Sequence, residues 1–357
     1  MLYSIFSVVS VCAVISPWLK RNQTQYLLFL LIFLCFVLSF IRWNTGTDWE
    51  SYYDIFISSK NLSNYTSVEP TFFLLNHICY SLTTSYTFCL LIESLILFGC
   101  SYYIVRQQKY PLLTYFLLFA STLGNIMFVR QSISVAIVLF SYQYILSGNK
   151  RKFYICIICA TLLHTSSIVA LPIYWLYRKG IKWRILLLIL FIVFLCSMFL
   201  NGNLFRNVLS TDYFIGAKII GYLNRSENGV DMNYITITPQ KAIMSHLLKR
   251  LFIIGLLLTY CRGTKITDKK LNGYLRIYLY SSVLYFIVTP LSMDLSRVCT
   301  CLELVDIFLY PYIFSTLKRT SSKIITLFLI LIFGLSKFIS NYNRFPEIFG
   351  SYITIFQ

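Results

Sequence analysis

The run "YLLFLLIFLCFVLSFI", residues 26–41, carries no charged side chain and approaches the length that an α-helix needs to cross a bilayer. A similar run, "RILLLILFIVFLCSMFL", covers residues 184–200. The whole chain is 57% hydrophobic and 12% charged, whereas a typical soluble protein is about 25% charged. Because the apolar runs are continuous rather than alternating, they favour helices over a transmembrane β-barrel. The sequence therefore predicts an all-α, polytopic transmembrane helical bundle.

The pattern recurs along the chain and predicts about 10–12 membrane segments in a single integral membrane domain, residues 1–357. The first run lacks the basic start and cleavage site of a signal peptide, so it is interpreted as a retained helix. Residues 70–85 are apolar but too short to cross, and we expect them to lie in the interface or to re-enter. Larger external loops are expected at about 42–70 and 201–242. The predicted spans are residues 2–17, 26–41, 86–105, 111–129, 131–146, 153–177, 183–200, 243–261, 274–290, 299–317 and 324–340.

The net charge of +18 reflects the distribution of Lys and Arg between loops. Basic residues cluster in alternate loops, as in Lys150, Arg151 and Lys152, and these loops contain almost no acids. The positive-inside rule places such loops in the cytoplasm. The basic excess is thus a topology signal, and no nucleic-acid partner is expected. Most acidic residues then lie on the opposite, external side.

Residues 153–177 conflict with a simple crossing, because basic clusters flank both ends. A re-entrant hairpin with its apex near "LHTSS", residues 163–167, removes the conflict. Non-helical backbone at membrane depth is tolerated where it lines a polar cavity. The hairpin therefore predicts a polar cavity near His164.

The loop after the second span, "IRWNTGTDWESYYDIF" at residues 41–56, is unusually rich in acids. If it is helical after Gly46, Asp48 and Tyr52 are neighbours on one face. One carboxylate would then serve as a general base for a substrate hydroxyl, and another would orient sugar hydroxyls alongside Trp49 and Tyr52. The alternative is an interfacial helix whose Trp and Tyr anchor at the lipid headgroups.

Three arginines near the external side suggest an anion site, namely Arg130, Arg250 and Arg297. The planar guanidinium fork binds two oxyanion oxygens at once, so a phosphate or diphosphate is the expected ligand. The alternative is that these side chains extend to lipid headgroups. Other charged residues within spans are interpreted as polar contacts in the bundle interior: Glu93, Glu303 and Asp306.

No cofactor or metal is expected. The 11 cysteines have no metal-ligand spacing, and the chain contains no phosphate-binding loop, nucleophile elbow or zinc-protease motif. His164, beside Thr165, Ser166 and Ser167, is either a catalytic residue or a satisfied core histidine. Transport driven by ATP on this chain alone is not expected.

Several of these stretches together resemble the EpsG family of Wzy-type polysaccharide polymerases. They are "RWNTGTDWESYYDIF", "VEPTFFLLNHI", the stretch from "VRQSISVAIVLF" to "LLHTSSIVALPIYWL", and "DLSRVCTCLELVDIFLYPYIF". The resemblance is closest over residues 25–180. It places site residues at Arg42, Gly46, Asp48, Tyr52, Glu69, Arg130, His164 and Arg297.

The resemblance implies a glycosyltransferase of the bacterial inner membrane with its active site facing the periplasm. Its substrate would be an undecaprenyl-diphosphate-linked oligosaccharide, and the growing glycan of O-antigen, capsule or exopolysaccharide would move onto the non-reducing end of the next lipid-linked repeat unit. Asp48, His164 and Arg297 would be catalytic, with arginines stabilising the departing diphosphate. Membrane lipid, a chain-length regulator and a flippase of the same pathway are the implied partners.

Two other functions compete with this interpretation. A flippase for lipid-linked oligosaccharides would need polar residues along the whole path across the bilayer, whereas here they gather on one side. A membrane O-acyltransferase that decorates surface glycans would use His164 as its base, but it would need an acyl donor route through the short basic loops. The sugar composition, the linkage and the stereochemical outcome are left open.

Overall fold

The computed structural model describes residues 1–65, 68–178, 182–199, 238–260 and 268–357, and within these ranges every regular element is a helix. The helices are α1 (Leu2–Ile15), α2 (Arg21–Phe40), α3 (Trp49–Ser58), α4 (Pro70–Leu82), α5 (Tyr86–Arg106), α6 (Pro111–Thr122), α7 (Arg130–Ser147), α8 (Lys150–Leu163), α9 (Ile173–Arg178), α10 (Trp183–Ser197), α11 (Pro239–Tyr260), α12 (Lys269–Val288), α13 (Thr300–Glu303), α14 (Asp306–Thr316), α15 (Thr320–Tyr342) and α16 (Pro346–Gly350). The predicted all-α class is confirmed.

Four of the described helical segments are long and apolar enough to cross a membrane: Arg21–Phe40, Tyr86–Arg106, Asp294–Thr316 and Thr320–Tyr342. Shorter apolar helices cover Leu2–Trp18 and Ile185–Ser197. Large apolar side chains such as Phe29, Leu30 and Phe33 are exposed on α2, as expected of a lipid-facing surface. The protein is a multi-pass helical membrane protein.

The chain divides into two compact units, Met1–Leu171 with Tyr310–Gln357, and Pro172–Leu309. In the first unit, α6 is buried from Pro111 to Ala120 and is contacted by α1 and α15. A helix that is apolar all round belongs at the centre of a bundle. Around it, α2 packs on α5, and α7 packs on both α5 and α8. The single domain predicted for residues 1–357 stays a prediction.

The second unit is organised around α12, which is contacted by α9, α10, α11 and α13. Tyr274 and Tyr278 of α12 are buried, and Tyr274 stacks on Phe308 with 5.9 Å between ring centroids. The predicted loop at 201–242 lies almost entirely outside the described residues, which resume at residue 238.

Some predicted boundaries were wrong. The span predicted at 111–129 ends as α6 at Thr122, because Leu123, Gly124 and Asn125 have left-handed φ values of 51°, 70° and 54°. Residues 70–82 form the regular helix α4, which begins at Pro70 as expected of a proline at a helix start, and its predicted place in the interface or as a re-entrant segment stays a prediction.

The helical path breaks where the hairpin apex was predicted. Helix α8 ends at Leu163, His164 has extended backbone, and a 3₁₀ segment covers Thr165–Ala170. The return limb, residues 172–177, belongs to the second unit, and the hairpin stays a prediction.

Candidate active site

The first part of the candidate site is Arg42, which follows the end of α2. Its side chain is 2% exposed. One guanidinium nitrogen donates to the carbonyl oxygen of Phe128 at 2.9 Å, and the guanidinium lies 4.3 Å from the Phe128 ring centroid. The loop between α6 and α7 therefore fixes the direction of this arginine.

The C-terminal segment fixes the backbone on either side of Arg42. Trp43 N–H donates to the Ile353 carbonyl at 2.9 Å, and Ile355 N–H donates to the Ile41 carbonyl at 2.9 Å. Thr45 Oγ1 accepts from Ile353 N–H at 3.1 Å. This short antiparallel bridge ties the loop after α2 to the chain after α16 and restricts the position of Arg42.

No carboxylate of the described residues reaches salt-bridge distance from Arg42, and its Nε finds no hydrogen-bond partner there. Burial lowers the pKa of the Arg42 guanidinium, an effect partly offset by Tyr86 and Glu93 nearby. Guanidinium nevertheless stays protonated in proteins. A buried cation without a paired anion is unfavourable, so this position suits an anionic ligand.

Gly46 allows the chain to turn past Arg42. Its φ of +124° is a value that side-chain-bearing residues rarely adopt, and a Cβ here would lie 3.6 Å from an Arg42 guanidinium nitrogen. The positive φ therefore accounts for the glycine, since a Cβ at 3.6 Å would make only an ordinary contact with Arg42.

We expect Gly46→Ala to destabilise this loop by about 1–3 kcal/mol and to reduce activity, because alanine at such a φ is strained. Gly99→Ala is the matched control, since Gly99 lies in α5 with nothing within 4 Å of its added Cβ. The measurement is thermal unfolding of the two purified variants together with their polymer yield. Equal behaviour of the two variants would show that the turn at Gly46 is not required.

Helix α3 confirms that the chain is helical after Gly46. Asp48 sits at its N-cap, is half-buried and makes no capping hydrogen bond to the helix. Tyr52 lies one turn later and accepts a hydrogen bond from the Arg130 N–H at 3.3 Å. Burial raises the pKa of the Tyr52 phenol, which therefore stays neutral. Asp48 and Tyr52 share one face, whereas Glu50 is exposed.

Trp49 is buried rather than displayed, with 8% of its surface exposed. Its ring stacks on Tyr53 at 5.2 Å between centroids and meets Trp43 and Tyr86 edge-on at 5.0 and 5.6 Å. Trp49 therefore packs the first turn of α3 against these aromatic rings. The indole of Trp43 is the more exposed of the two.

Glu69 joins the starts of two helices and of a 3₁₀ segment. One carboxylate oxygen pairs with Arg130 at 2.5 Å, at the first residue of α7. The other accepts from Thr165 N–H at 3.1 Å and Thr165 Oγ1 at 2.7 Å, at the start of the 3₁₀ segment. The acid stands at the N-cap of α4. The structure thus brings Glu69, Arg130 and the residue next to His164 together.

His164 lies at the helix break and is half-buried. Its Nδ1 lies 2.7 Å from Ser166 Oγ and accepts from the Ser166 N–H at 3.4 Å. Ser166 Oγ accepts from Gln131 Nε2 at 3.4 Å. Ser134 of α7 contacts Ser167 and the Ala160 carbonyl. These polar contacts hold the imidazole against the first turn of α7, close in sequence to Arg130.

Arg250 and Arg297 belong to the second unit. Arg250 of α11 lies 3.5 Å from Glu303, donates to His246 at 3.1 Å, and covers the Tyr278 ring at 4.0 Å. Arg297 is different, because its side chain is 37% exposed and pairs with the buried Asp294 at 3.3 Å.

Sequence reasoning assigned no role to His246 and treated Glu303 only as an interior contact. The signal was present, since His246 and Arg250 are one helical turn apart and Glu303 is an acid inside an apolar run. Glu93 of the first unit was likewise expected only to make interior polar contacts, but Arg42 and Arg130 lie near enough to act on it electrostatically.

Across the described ranges, no three His, Cys, Asp or Glu side chains come together as metal ligands.

Comparison with known proteins gives one match. A model of the EpsG family matches residues 25–352, nearly the whole chain. No curated protein and no solved structure matches significantly.

Proposed function

The chain belongs to the EpsG family, whose members are Wzy-type polymerases, and we propose that it extends a surface polysaccharide from lipid-linked repeat units. In this proposal the growing glycan leaves undecaprenyl diphosphate and joins the non-reducing end of a lipid-linked repeat unit. The reaction takes place at the periplasmic face of the bacterial inner membrane.

The observation that carries the proposal is the buried Arg42. It is held by a carbonyl and an aromatic ring, and no carboxylate of the described residues forms a salt bridge with it. A lipid diphosphate would supply the missing negative charge. As the sugar departs from the diphosphate, charge accumulates on the phosphate oxygens, and a preorganised guanidinium stabilises that charge.

Arg130 is the second cation of the proposed site, although Glu69 already pairs with it. The pairing fixes the guanidinium of Arg130 beside Phe72, 5.3 Å from the ring centroid. In the proposal Arg130 orients the diphosphate, and Arg42 takes most of its charge. Arg250 and Arg297 remain proposed ligands of the lipid-linked substrates.

Asp48 is the proposed base, because its carboxylate is half-buried and is not engaged in capping α3. The acceptor hydroxyl oxygen forms a bond to the anomeric carbon, and the bond from that carbon to the diphosphate breaks. The diphosphate leaves with the bonding electron pair, and the hydroxyl proton passes to Asp48. His164 would hold the acceptor through its ring. The donor's own glycosyl phosphate bond supplies the driving force.

The test is deletion of the gene followed by gel analysis of the surface polysaccharide. Loss of a polymerase should leave carriers with a single repeat unit, whereas loss of a flippase should leave no surface glycan. Complementation with Asp48→Asn should give the single-unit pattern at normal protein levels, since removing a general base lowers the rate by about 10²–10⁴-fold.

Glu50→Gln is the matched control, because Glu50 is exposed on the same helix and should support long chains. Long chains with Asp48→Asn would rule out Asp48 as the base. A deletion strain without any surface glycan would rule out the polymerase.

A further inference from the structure

Two polar side chains of α15 face the end of α6, and the proposed mechanism does not yet use them. Helix α15 is long and apolar enough to span the membrane, and polar or ionisable residues in such a helix are unfavourable unless they have a function or a partner. Lys337 and Asn341 lie one helical turn apart, on the same face as Gly334. A Cβ on Gly334 would overlap the Phe116 ring of α6. The two helices therefore pack closely along this face.

The contacts of these two side chains complete the end of α6. The last four carbonyl groups of a helix have no donor within the helix. Asn341 Nδ2 donates to the carbonyl oxygens of Ala120 at 3.0 Å and of Ser121 at 3.1 Å. Lys337 Nζ donates to Ser121 Oγ at 3.2 Å, and its positive charge is favourable at the negative end of the α6 dipole. Helix α15 thus supplies donors that α6 itself lacks.

The segment that follows α6 has an unusual backbone conformation. Leu123, Gly124 and Asn125 all have positive φ values, and residues other than glycine keep such values only where the surrounding structure determines them. This segment contacts both α15 and α2. The end of α6, fixed by α15, therefore sets the direction in which the chain runs on to Phe128.

Phe128 passes this direction on to Arg42. The Phe128 side chain is buried, its carbonyl oxygen accepts from the Arg42 guanidinium at 2.9 Å, and its ring lies 4.3 Å from that guanidinium. This is the one hydrogen bond that the Arg42 side chain makes to the described residues. A displaced Phe128 carbonyl would therefore displace the guanidinium, and a catalytic group has to be held within about 0.5 Å of its productive position.

We infer that Asn341, assisted by Lys337, is a positioning residue that fixes the end of α6 and, through residues 123–128, the direction of the Arg42 guanidinium. The inference rests on the proposed function of the Arg42 site. The role is indirect, because the diphosphate would contact Arg42 and not α15. Loss of Asn341 would misplace the guanidinium without removing it. Since charge accumulates on the diphosphate as the sugar departs, the expected effect is on kcat more than on KM.

The test measures steady-state polymerisation by the full-length protein in liposomes, with the lipid-linked repeat unit of its host as substrate. Asn341→Leu keeps the approximate size of the side chain and removes both hydrogen bonds to α6. It should lower kcat by about tenfold with little change in KM, because a small misplacement of a catalytic group costs up to about 10²-fold. Asn343→Leu is the matched control and should behave as wild type, because Asn343 is exposed just after α15.

A double-mutant cycle separates positioning of Arg42 from a merely structural role. Arg42→Ala has no guanidinium to misplace, so adding Asn341→Leu should lower kcat no further, whereas independent effects would multiply. Ser121→Ala is a milder variant, because it removes only the hydroxyl that accepts from Lys337. It should lower kcat by about threefold, again only where Arg42 is present. It tests the inference even if Asn341→Leu does not accumulate in the membrane.

The outcomes distinguish this inference from the proposed function. Suppose first that Arg42→Ala is impaired. Wild-type kcat in those of the Asn341→Leu and Ser121→Ala variants that accumulate would then overturn the inference and leave the Arg42 site standing, and so would losses that multiply in the cycle. If instead Arg42→Ala polymerised as wild type does, the proposed Arg42 site would fail, and the inference would fail with it.

Discussion

Replacement of Arg42 by alanine should reduce polymerisation by about 10²–10³-fold while leaving the protein in the membrane. The guanidinium is buried and fixed by the Phe128 carbonyl and ring, so no neighbouring side chain can replace it. The measurement is the distribution of glycan lengths in a deletion strain that expresses the variant, normalised to protein level.

Two further variants provide the comparisons needed to interpret the result for Arg42→Ala. Arg42→Lys keeps the charge but loses the planar fork, so it should recover only a small part of the activity. Arg151→Ala removes an exposed arginine near the start of α8 and should behave as wild type. Normal chain lengths in Arg42→Ala would show that the diphosphate is bound elsewhere.

The second large effect is expected for Glu69→Gln. This change removes the buried partner of Arg130, and loss of one member of a buried ion pair destabilises a protein by about 3–5 kcal/mol. The carboxamide can still accept from Thr165, so the effect reports mainly the charge. We expect a clearly lower unfolding temperature in detergent and the loss of long glycan chains.

A double-mutant cycle separates the ion pair from other effects. Glu69→Gln combined with Arg130→Gln should be less destabilised than the sum of the single changes, because no unpaired charge stays buried. Glu347→Gln, at an exposed acid of α16, should change stability by no more than about 0.5 kcal/mol. Strict additivity of the Glu69 and Arg130 changes would contradict the pairing.

The sequence predicted well what depends on local patterns. The run at residues 26–41 lies within or next to α2, and the conflict of charges around residues 153–177 located the break at His164. The pairing of Asp48 with Tyr52 was expected only if the chain is helical after Gly46, and helix α3 meets that condition. These results follow from hydrophobic periodicity, charge and glycine, which act over a few residues.

The pairing of segments that are distant in the chain could not be predicted from the sequence. Nothing near residues 351–357 indicates that this segment holds Ile41 and Trp43, because these two residues are held through their backbone groups. Burial of Trp49 was missed for a related reason, since an aromatic residue near the membrane surface fits an interfacial anchor as well as a packed core. The left-handed residues after α6 were also missed, because Leu123 and Asn125 give no clear signal of a positive φ.

Glu93 shows the limit most clearly. Its sequence context is an ordinary apolar helix, and only the fold brings Arg42 and Arg130 into its neighbourhood. An isolated acid in a predicted span therefore marks a position for attention, but its partners depend on the tertiary structure.

The central claim is tested most directly by supplying the purified protein in liposomes with a lipid-linked single repeat unit from its own host. We expect a ladder of longer lipid-linked glycans, with one undecaprenyl diphosphate released for each bond formed, and neither product with Arg42→Ala. Transfer of the intact lipid-linked unit across the bilayer, without a ladder and without released diphosphate, would contradict the account.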